Sequence, residues 1–245
     1  MSRMSRDELL AALREIDTPT ITNVVATYPT NPLCLGLYNP WTENWYTDTS
    51  IRCIYPEMGP VIGYAVTCVY GMPDPNYPNR LTYQDVIEAL DAGPNKPTIL
   101  VIQQKWPAEI FNKAGLAGEI MTTSAQAVGC IGLLSNGPSR DVDAIRRNKF
   151  QMLLGGVTAG HGAMGVMAVQ VPVSVGGMDV APGELIHMDE NGAVKFPADK
   201  IEQVLANARG LLDKEATQIA ALRKAKTAAE VKAASSGGTY TEKKS

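Results

Sequence analysis

Residues 117–145, AGEIMTTSAQAVGCIGLLSNGPSRDVDAI, decide how this chain is read. From Glu119 to Val128 the apolar residues Ile120, Met121, Ala125 and Val128 recur at helical spacing, so the chain climbs roughly 15 Å at 1.5 Å per residue. Gly129 supplies the stop. Cys130 to Ser135 is a short apolar run ahead of Asn136-Gly137-Pro138 and reads as a buried strand covering roughly 20 Å in the return direction before a turn. Nearly equal lengths out and back place Glu119, in the first helical turn, beside Arg140 and Asp141, which follow the strand and open the next helical turn. Two carboxylates and a guanidinium are therefore expected to share one crevice.

Working outward, Ser5 and Glu8 form a capping-box pattern ahead of Leu9, Leu13 and Ile16, which predicts a helix ending near Asp17-Thr18-Pro19. A short helix follows around Ile21 to Thr27. Residues 28–60 are rich in Pro, Asn, Tyr and Trp without a sustained period and read as a long loop. Val61 to Tyr70 and Thr98 to Gln103 read as buried strands, with a helix from Thr82 to Leu90 between them, because Thr82 and Asp85 repeat the capping pattern. Val166 to Val175 is β-like, and Glu184 to Met188 with Ala193 to Phe196 reads as a hairpin around Asp189-Glu190-Asn191-Gly192. From Pro197 a long helix is predicted to about Ala233, with the stripe Ile201, Val204, Leu205, Ala208, Leu211, Leu212, Ile219 and Leu222. Glu215 falls inside that stripe, where an unpaired carboxylate would be costly. Mixed strands and helices predict an α/β fold. A single domain over residues 1–233 is expected, followed by a polar, disordered tail at 234–245.

With 245 residues, of which 45% are hydrophobic, the chain can bury a full core. A net charge of -3 and 6% aromatic residues leave nucleic-acid binding without electrostatic support. Cys34, Cys53, Cys68 and Cys130 are scattered, with no CxxC or Cys/His cluster, so neither zinc nor a disulfide framework is indicated. A reduced, cytoplasmic setting is expected. MSRMSRDELL has no apolar signal core, and the longest apolar stretch, residues 162–178, is interrupted by Gln170, Pro172 and glycines, so no membrane partner is expected.

Asp141 has the chemistry of a direct ligand for a hard cation such as Mg²⁺ or Mn²⁺, which uses one or two carboxylates and keeps several waters. The competing reading for Asp141 and for Glu119 is a first-turn acid facing the helix dipole. Convergence favours the cation, because two close carboxylates repel without one. Arg140 can grip a carboxylate or carbonyl oxygen with its fork or, more plainly, pair with Asp141. Gly118 and the amides after it open a helix and can seat an anion. Gly160 to Gly165 matches GxGxxG, but a β-like run follows where a dinucleotide site needs a helix. His161 in that loop could touch a substrate, with a plain loop histidine the stronger reading. His187 alternates with Ile186 and Met188 on a strand. No G-x-S-x-G elbow, P-loop or HExxH is present, which removes support for hydrolase and phosphotransferase readings.

These residues resemble the RraA-like proteins, which include class II pyruvate aldolases acting on 4-hydroxy-4-methyl-2-oxoglutarate and 4-carboxy-4-hydroxy-2-oxoadipate. The similarity lies in Gly118-Glu119-Ile120, in Ala125 to Gly129 with Gly132, and in Gly137-Pro138-Ser139-Arg140-Asp141. It continues in Val180-Ala181-Pro182-Gly183-Glu184 and in Asp189 to Pro197, and spans roughly Thr18 to Leu222. Ile120 stands where leucine or methionine is more usual, and Asn136-Gly137 where many relatives carry Asp-Gly. The resemblance implies a swivelling β/β/α-type sandwich with a long C-terminal helix, assembled as a homotrimer or homohexamer with sites between subunits. It implies that Asp141 binds Mg²⁺ or Mn²⁺ directly and Glu119 through water. Arg140 would contact the pyruvate moiety of a 2-oxo acid, and the amides of Gly118, Glu119, Ile120 and Met121 would seat its carboxylate. Glu215 is the candidate for a glutamate drawn from a neighbouring subunit. The implied activity is a metal-dependent lyase releasing pyruvate through an enolate, which also permits oxaloacetate decarboxylation. The family also contains non-enzymatic regulators of ribonuclease, so a protein-binding role is the alternative, as is a lyase or hydro-lyase on another sugar-derived or aromatic-catabolic oxo acid. Residues 34–55 and 72–80 match no family feature and leave the distal half of a substrate unassigned.

Overall fold

Capping sets where the first helices begin. Ser5 Oγ accepts from the Glu8 amide at 3.3 Å while the Glu8 carboxylate accepts from the Ser5 amide at 2.7 Å, which starts α1 (Arg6–Leu13). Asp17 accepts from the Thr20 amide and starts α2 (Thr18–Val25), with Pro19 in the first turn, where its missing N–H costs nothing. The computed structural model describes residues 4–28, 31–73, 76, 80–162 and 165–235. The chain divides into two compact units, residues 44–198 and residues 1–43 with 199–245.

In the larger unit the elements follow as β1 (Arg52–Cys53), a 3-10 turn at Pro56–Met58, β2 (Val61–Gly71), α3 (Tyr83–Asp91), β3 (Thr98–Lys105), α4 (Ala108–Phe111), α5 (Glu119–Ala127), β4 (Cys130–Ser139), α6 (Val142–Arg147) and β5 (Gln151–Val157). They continue as β6 (Gly165–Val169), β7 (Val173–Val175), β8 (Met178–Val180), β9 (Leu185–Asp189) and β10 (Gly192–Phe196). Every residue of β2 is buried, as a continuous apolar run requires when both sheet faces are covered. Strands β2, β3, β4 and β5 pair in parallel, with α3 and α5 among the connections, and β1 adds antiparallel to β5. The other edge of β2 is shared: β9 takes Val61 to Tyr64, β6 takes Cys68 to Gly71, and β10 pairs with β9.

One face of this sheet, with Val66, Cys68, Leu100, Ile102, Leu133 and Leu154, packs with Val86 and Leu90 of α3, Ala125 of α5 and Ile145 of α6. The opposite face, with Ala65, Val69, Val101, Leu134 and Leu153, packs with Val173, Val175, Met178 and Val180 of the β7–β8 hairpin. Helices, sheet and hairpin form three layers, the β/β/α arrangement implied by the family resemblance. Lys96 fastens two helix ends at once, its ammonium donating to Leu90 O in the last turn of α3 and, at 2.6 Å, to Val128 O after α5.

The other unit holds α1, α2, α7 (Ile201–Leu222) and α8 (Ala228–Ser235), α7 being preceded by a 3-10 turn at Ala198–Lys200. Ile201, Val204, Leu205, Ala208 and Leu211 are buried, whereas Leu212 and Ile219 further along are exposed. The helix predicted from Pro197 to Ala233 is therefore two. Its chain turns after Leu222, and α8 starts at a capping box of its own, in which Glu230 accepts from the Thr227 amide and Thr227 Oγ1 from the Glu230 amide. Of the expected tail, Ala234 and Ser235 close α8, and residues 236–245 lie outside the described residues. Two further differences concern the larger unit. Residues 166–175 form two strands rather than one, and β5 was not anticipated at all. No helix among the described residues is long and apolar enough to cross a membrane.

Candidate functional site

The return strand β4 is longer than its apolar run. It continues through Asn136-Gly137-Pro138 to Ser139, and it does so by bulging: Ser135 pairs with Leu154 and Pro138 with Gly156, so two residues of β4 oppose one of β5. Gly155 is required there, since a Cβ on it would lie 2.1 Å from Asn136 O. Beyond the bulge β4 changes partner on its other edge. Its pairing with β3 ends at Ile102 and Ser135. The segment before α5 takes over, with Leu116 N–H donating to Pro138 O at 3.1 Å and Arg140 N–H to Ala117 O at 3.0 Å. Those two bonds bring Gly118-Glu119 to Arg140-Asp141, the convergence anticipated from matched helix and strand lengths, although the turn predicted at Asn136 is a strand.

Asp141 joins β4 to α6 in a left-handed conformation, φ 61° and ψ 34°, which aspartate tolerates better than most residues. Its Oδ2 accepts from the Glu119 amide at 3.0 Å, so Asp141 satisfies the first N–H of α5 from across the crevice. A side chain on Gly118 would close that approach, because its Cβ would lie 2.4 Å from the same oxygen. Arg140 Nε stands 3.8 Å from Asp141 Oδ2, an ion pair without a hydrogen bond, and this buried nitrogen has no hydrogen-bond partner. The two side chains are 34% and 40% exposed, open enough to meet a small ligand.

The other predicted residues are placed as follows. Glu119 is exposed at the start of α5, and Ile120 is 83% exposed beside it. Met121 turns into the core, and its carbonyl accepts from Tyr83 Oη. The Glu119 amide, expected among the anion-seating groups, is occupied by Asp141. Glu215 is half-buried on α7, between buried Leu211 and exposed Ile219. Gly160 and Gly162 of the GxGxxG stretch pack on the chain ahead of α5, where added Cβ atoms would lie 2.3 Å from Lys113 O and 2.8 Å from Ala114 Cβ. Their spacing reflects close backbone approach, and β6 follows in place of a helix. His161 is exposed and bridges Gly115, and His187 is fully buried on β9.

Sequence reasoning missed the supports. Tyr55, fully buried, donates from Oη to Val142 O at 2.7 Å, one residue past Asp141. Burial pushes the Tyr55 phenol up to about 12. Arg146 lies over the Tyr55 ring and pairs with Glu57 at 3.0 Å and Asp143 at 2.9 Å, tying α6 to the 3-10 turn. Nothing in the spacing of residues 55 and 142 signals that contact.

Among the described residues no three His, Cys, Asp or Glu side chains gather into a closed cage. The donor set at hand is the Asp141 carboxylate, with Glu119, whose amide it holds, exposed at the start of α5. Asp141 uses one oxygen for the Glu119 amide and keeps the other, which suits a hard cation that retains most of its waters.

The Aldolase/RraA family model matches residues 39–195. A putative 4-hydroxy-4-methyl-2-oxoglutarate aldolase of Halalkalibacterium halodurans is 32% identical over 95 residues, covering 38% of this chain and 45% of its own length. The chain thus matches under half of that relative. A solved Pseudomonas syringae structure is 20% identical with a TM-score of 0.69, covering 95% of both chains. A Streptomyces coelicolor protein described as an unusual member of the RNase ES inhibitor RraA family is also 20% identical, with a TM-score of 0.66 over 88% of this chain and 97% of its own. The two structures share the fold: mixed α/β with a long C-terminal helix.

Proposed function

Because the chain belongs to the RraA-like family, we propose that it is a divalent-metal-dependent lyase that cleaves a 4-hydroxy-2-oxo acid into pyruvate and a carbonyl product. The observation that carries this reading is Asp141, held left-handed with one oxygen on the Glu119 amide and the Arg140 guanidinium at its side. Strained acids fixed this way cluster at sites where geometry serves chemistry. The aldolase-named relative points the same way.

Asp141 would hold Mg²⁺ or Mn²⁺ directly, Glu119 would do so through water, and Glu215 would come from a neighbouring subunit of a homotrimer or homohexamer. When bound, such an ion supplies Lewis-acid polarisation of substrate oxygens. Arg140 orients the 2-oxo acid by its carboxylate or oxo oxygen, and its planar donors stabilise the negative charge that develops as the C–C bond breaks. Its side chain is 34% exposed although Nε is buried, so the terminal amino groups of the guanidinium are the donors for that role. The amides of Ile120 and Met121, at the start of α5, favour an anion at the same place. Arg140 and Asp141 act as a pair: one neutralises the substrate, and the other keeps the guanidinium aimed.

The test is pyruvate release from a panel of 4-hydroxy-2-oxo acids and oxaloacetate, with Mg²⁺, with Mn²⁺ and with chelator. Release is expected to vanish with chelator and in Asp141→Ala. Release that survives either treatment sinks the reading, and no release from any substrate leaves the protein-binding alternative. For Glu215, the Ala variant is expected to lose activity while light scattering shows an unchanged assembly.

A further inference from the structure

Gln104 lies on β3 two residues past its last pair with β4, still paired with Tyr70 of β2, and is 2% exposed. Every polar atom of its side chain is used. Nε2 donates to Ser135 Oγ at 2.9 Å and to Pro138 O at 3.3 Å, and Oε1 accepts from Trp106 Nε1 at 2.7 Å. Ser135 and Pro138 are the residues on either side of the β4 bulge. One amide therefore spans the bulge. The backbone of Gln104 is engaged too: its N–H donates to Asn136 Oδ1 at 2.7 Å, and its carbonyl accepts from Asn136 Nδ2 at 3.1 Å. The side chain of Asn136 thus replaces the missing rung of the β3–β4 ladder. Gly137 leaves the room that Gln104 fills, since a Cβ there would lie 2.3 Å from the amide carbon.

Pro138 O is the acceptor that matters. It receives Gln104 Nε2 and also the Leu116 amide, the first of the two bonds that bring the α5 loop to Arg140. We propose that Gln104 is a positioning residue, which fixes the β4 bulge and through Pro138 O sets the approach of Gly118-Glu119 to Arg140-Asp141. A bulge re-aims the chain beyond it, and a site held about 0.5 Å off its working geometry is already too loose. Gln104 is buried, and its side chain reaches the two loops only through Pro138 O. The inference rests on the lyase reading only where it concerns ion binding and turnover; the placement of the two loops is independent of it.

The experiment compares Gln104→Met and Trp106→Phe in the full chain. Trp106→Phe removes a bond of the same network at its far end and keeps the amide across the bulge, so it reports what network damage alone does. Two readouts are taken: hydrogen exchange of the Leu116 and Arg140 amides relative to Leu133 and Leu134, and Mn²⁺ affinity by electron paramagnetic resonance. Gln104→Met is expected to accelerate exchange at Leu116 and Arg140 selectively and to weaken Mn²⁺ binding about tenfold, as loss of an outer-shell support does. Trp106→Phe is expected to leave both readouts near wild type. If Gln104→Met does not fold, Gln104→Leu, which likewise has no donor to Pro138 O, is expected to show the same selective exchange. Unchanged exchange at Leu116 and Arg140, or equal acceleration in Trp106→Phe, overturns the proposal. A wild-type chain that binds no Mn²⁺ and releases no pyruvate counts against the lyase reading, and the exchange comparison still decides the role of Gln104.

Discussion

The two ends of β4 are built to different rules. From Gly132 to Ser135, past a first irregularity at Ile131, the strand is regular, its side chains fill both faces of the sheet, and β3 and β5 satisfy its backbone on either edge. From Asn136 to Asp141 it bulges, exchanges one neighbour for a loop and finishes in a left-handed aspartate. Ser139 Oγ and Arg140 Nε are buried there without hydrogen-bond partners. Unmet polar groups and strained backbone cost of order 1–3 kcal/mol each. They persist because the surrounding contacts from Gln104 and Tyr55 over-determine the geometry. The comparison teaches that stability is made at one end of the strand and used at the other.

Asp141→Asn should draw the line most sharply. Asparagine tolerates the left-handed conformation, so thermal stability should stay close to wild type, while pyruvate release should fall by about a thousandfold because the charge is gone. A melt that drops along with activity would make Asp141 a structural residue. Leu134→Ala, fully buried at the regular end, should cost about 3 kcal/mol in a denaturant titration, with kcat/KM of the folded fraction preserved. Lys96→Met removes the ammonium that closes α3 and α5 and should cost about 2 kcal/mol by the same titration. If either substitution lowers turnover in the folded protein, the two ends are not separable. Ile120→Ser is the smallest. At 83% exposure Ile120 supports little within the chain, and stability should change by less than about 0.5 kcal/mol.

What the sequence made legible follows the same division. Ser5 with Glu8 and Thr82 with Asp85 announced their helices because capping is local chemistry. The apolar runs at residues 61 and 98 announced their strands because burial on both faces leaves no polar alternation. The backbone of Glu119 meets Arg140 and Asp141 as expected, but through the bonds of Leu116 and Arg140 that pair the loop before α5 with a longer β4, not through matched lengths. The bulge escaped notice because its cause, Gln104, lies 32 residues before Asn136 and acts through space. Strand β5 gives little signal because its apolar core is only Met152 to Leu154, followed by Gly155, which admits Asn136 O, and by Gly156. The break in the C-terminal helix was in principle readable. Thr227-Ala228-Ala229-Glu230 is a capping pattern, overlooked inside a stretch of strong helix formers.

The shared edge of β2 carries a consequence for the order of assembly. Its parallel partner β3 emerges from the ribosome soon after it, but the opposite edge waits for Val166 to Val169 and for Leu185 to Met188. At about 5–20 residues per second, an apolar strand with one open edge persists for several seconds on the nascent chain. Such an edge is a template for pairing with other chains. Truncations that end before β6 should therefore aggregate, and synthesis paused between β5 and β9 is the interval in which a chaperone would matter most.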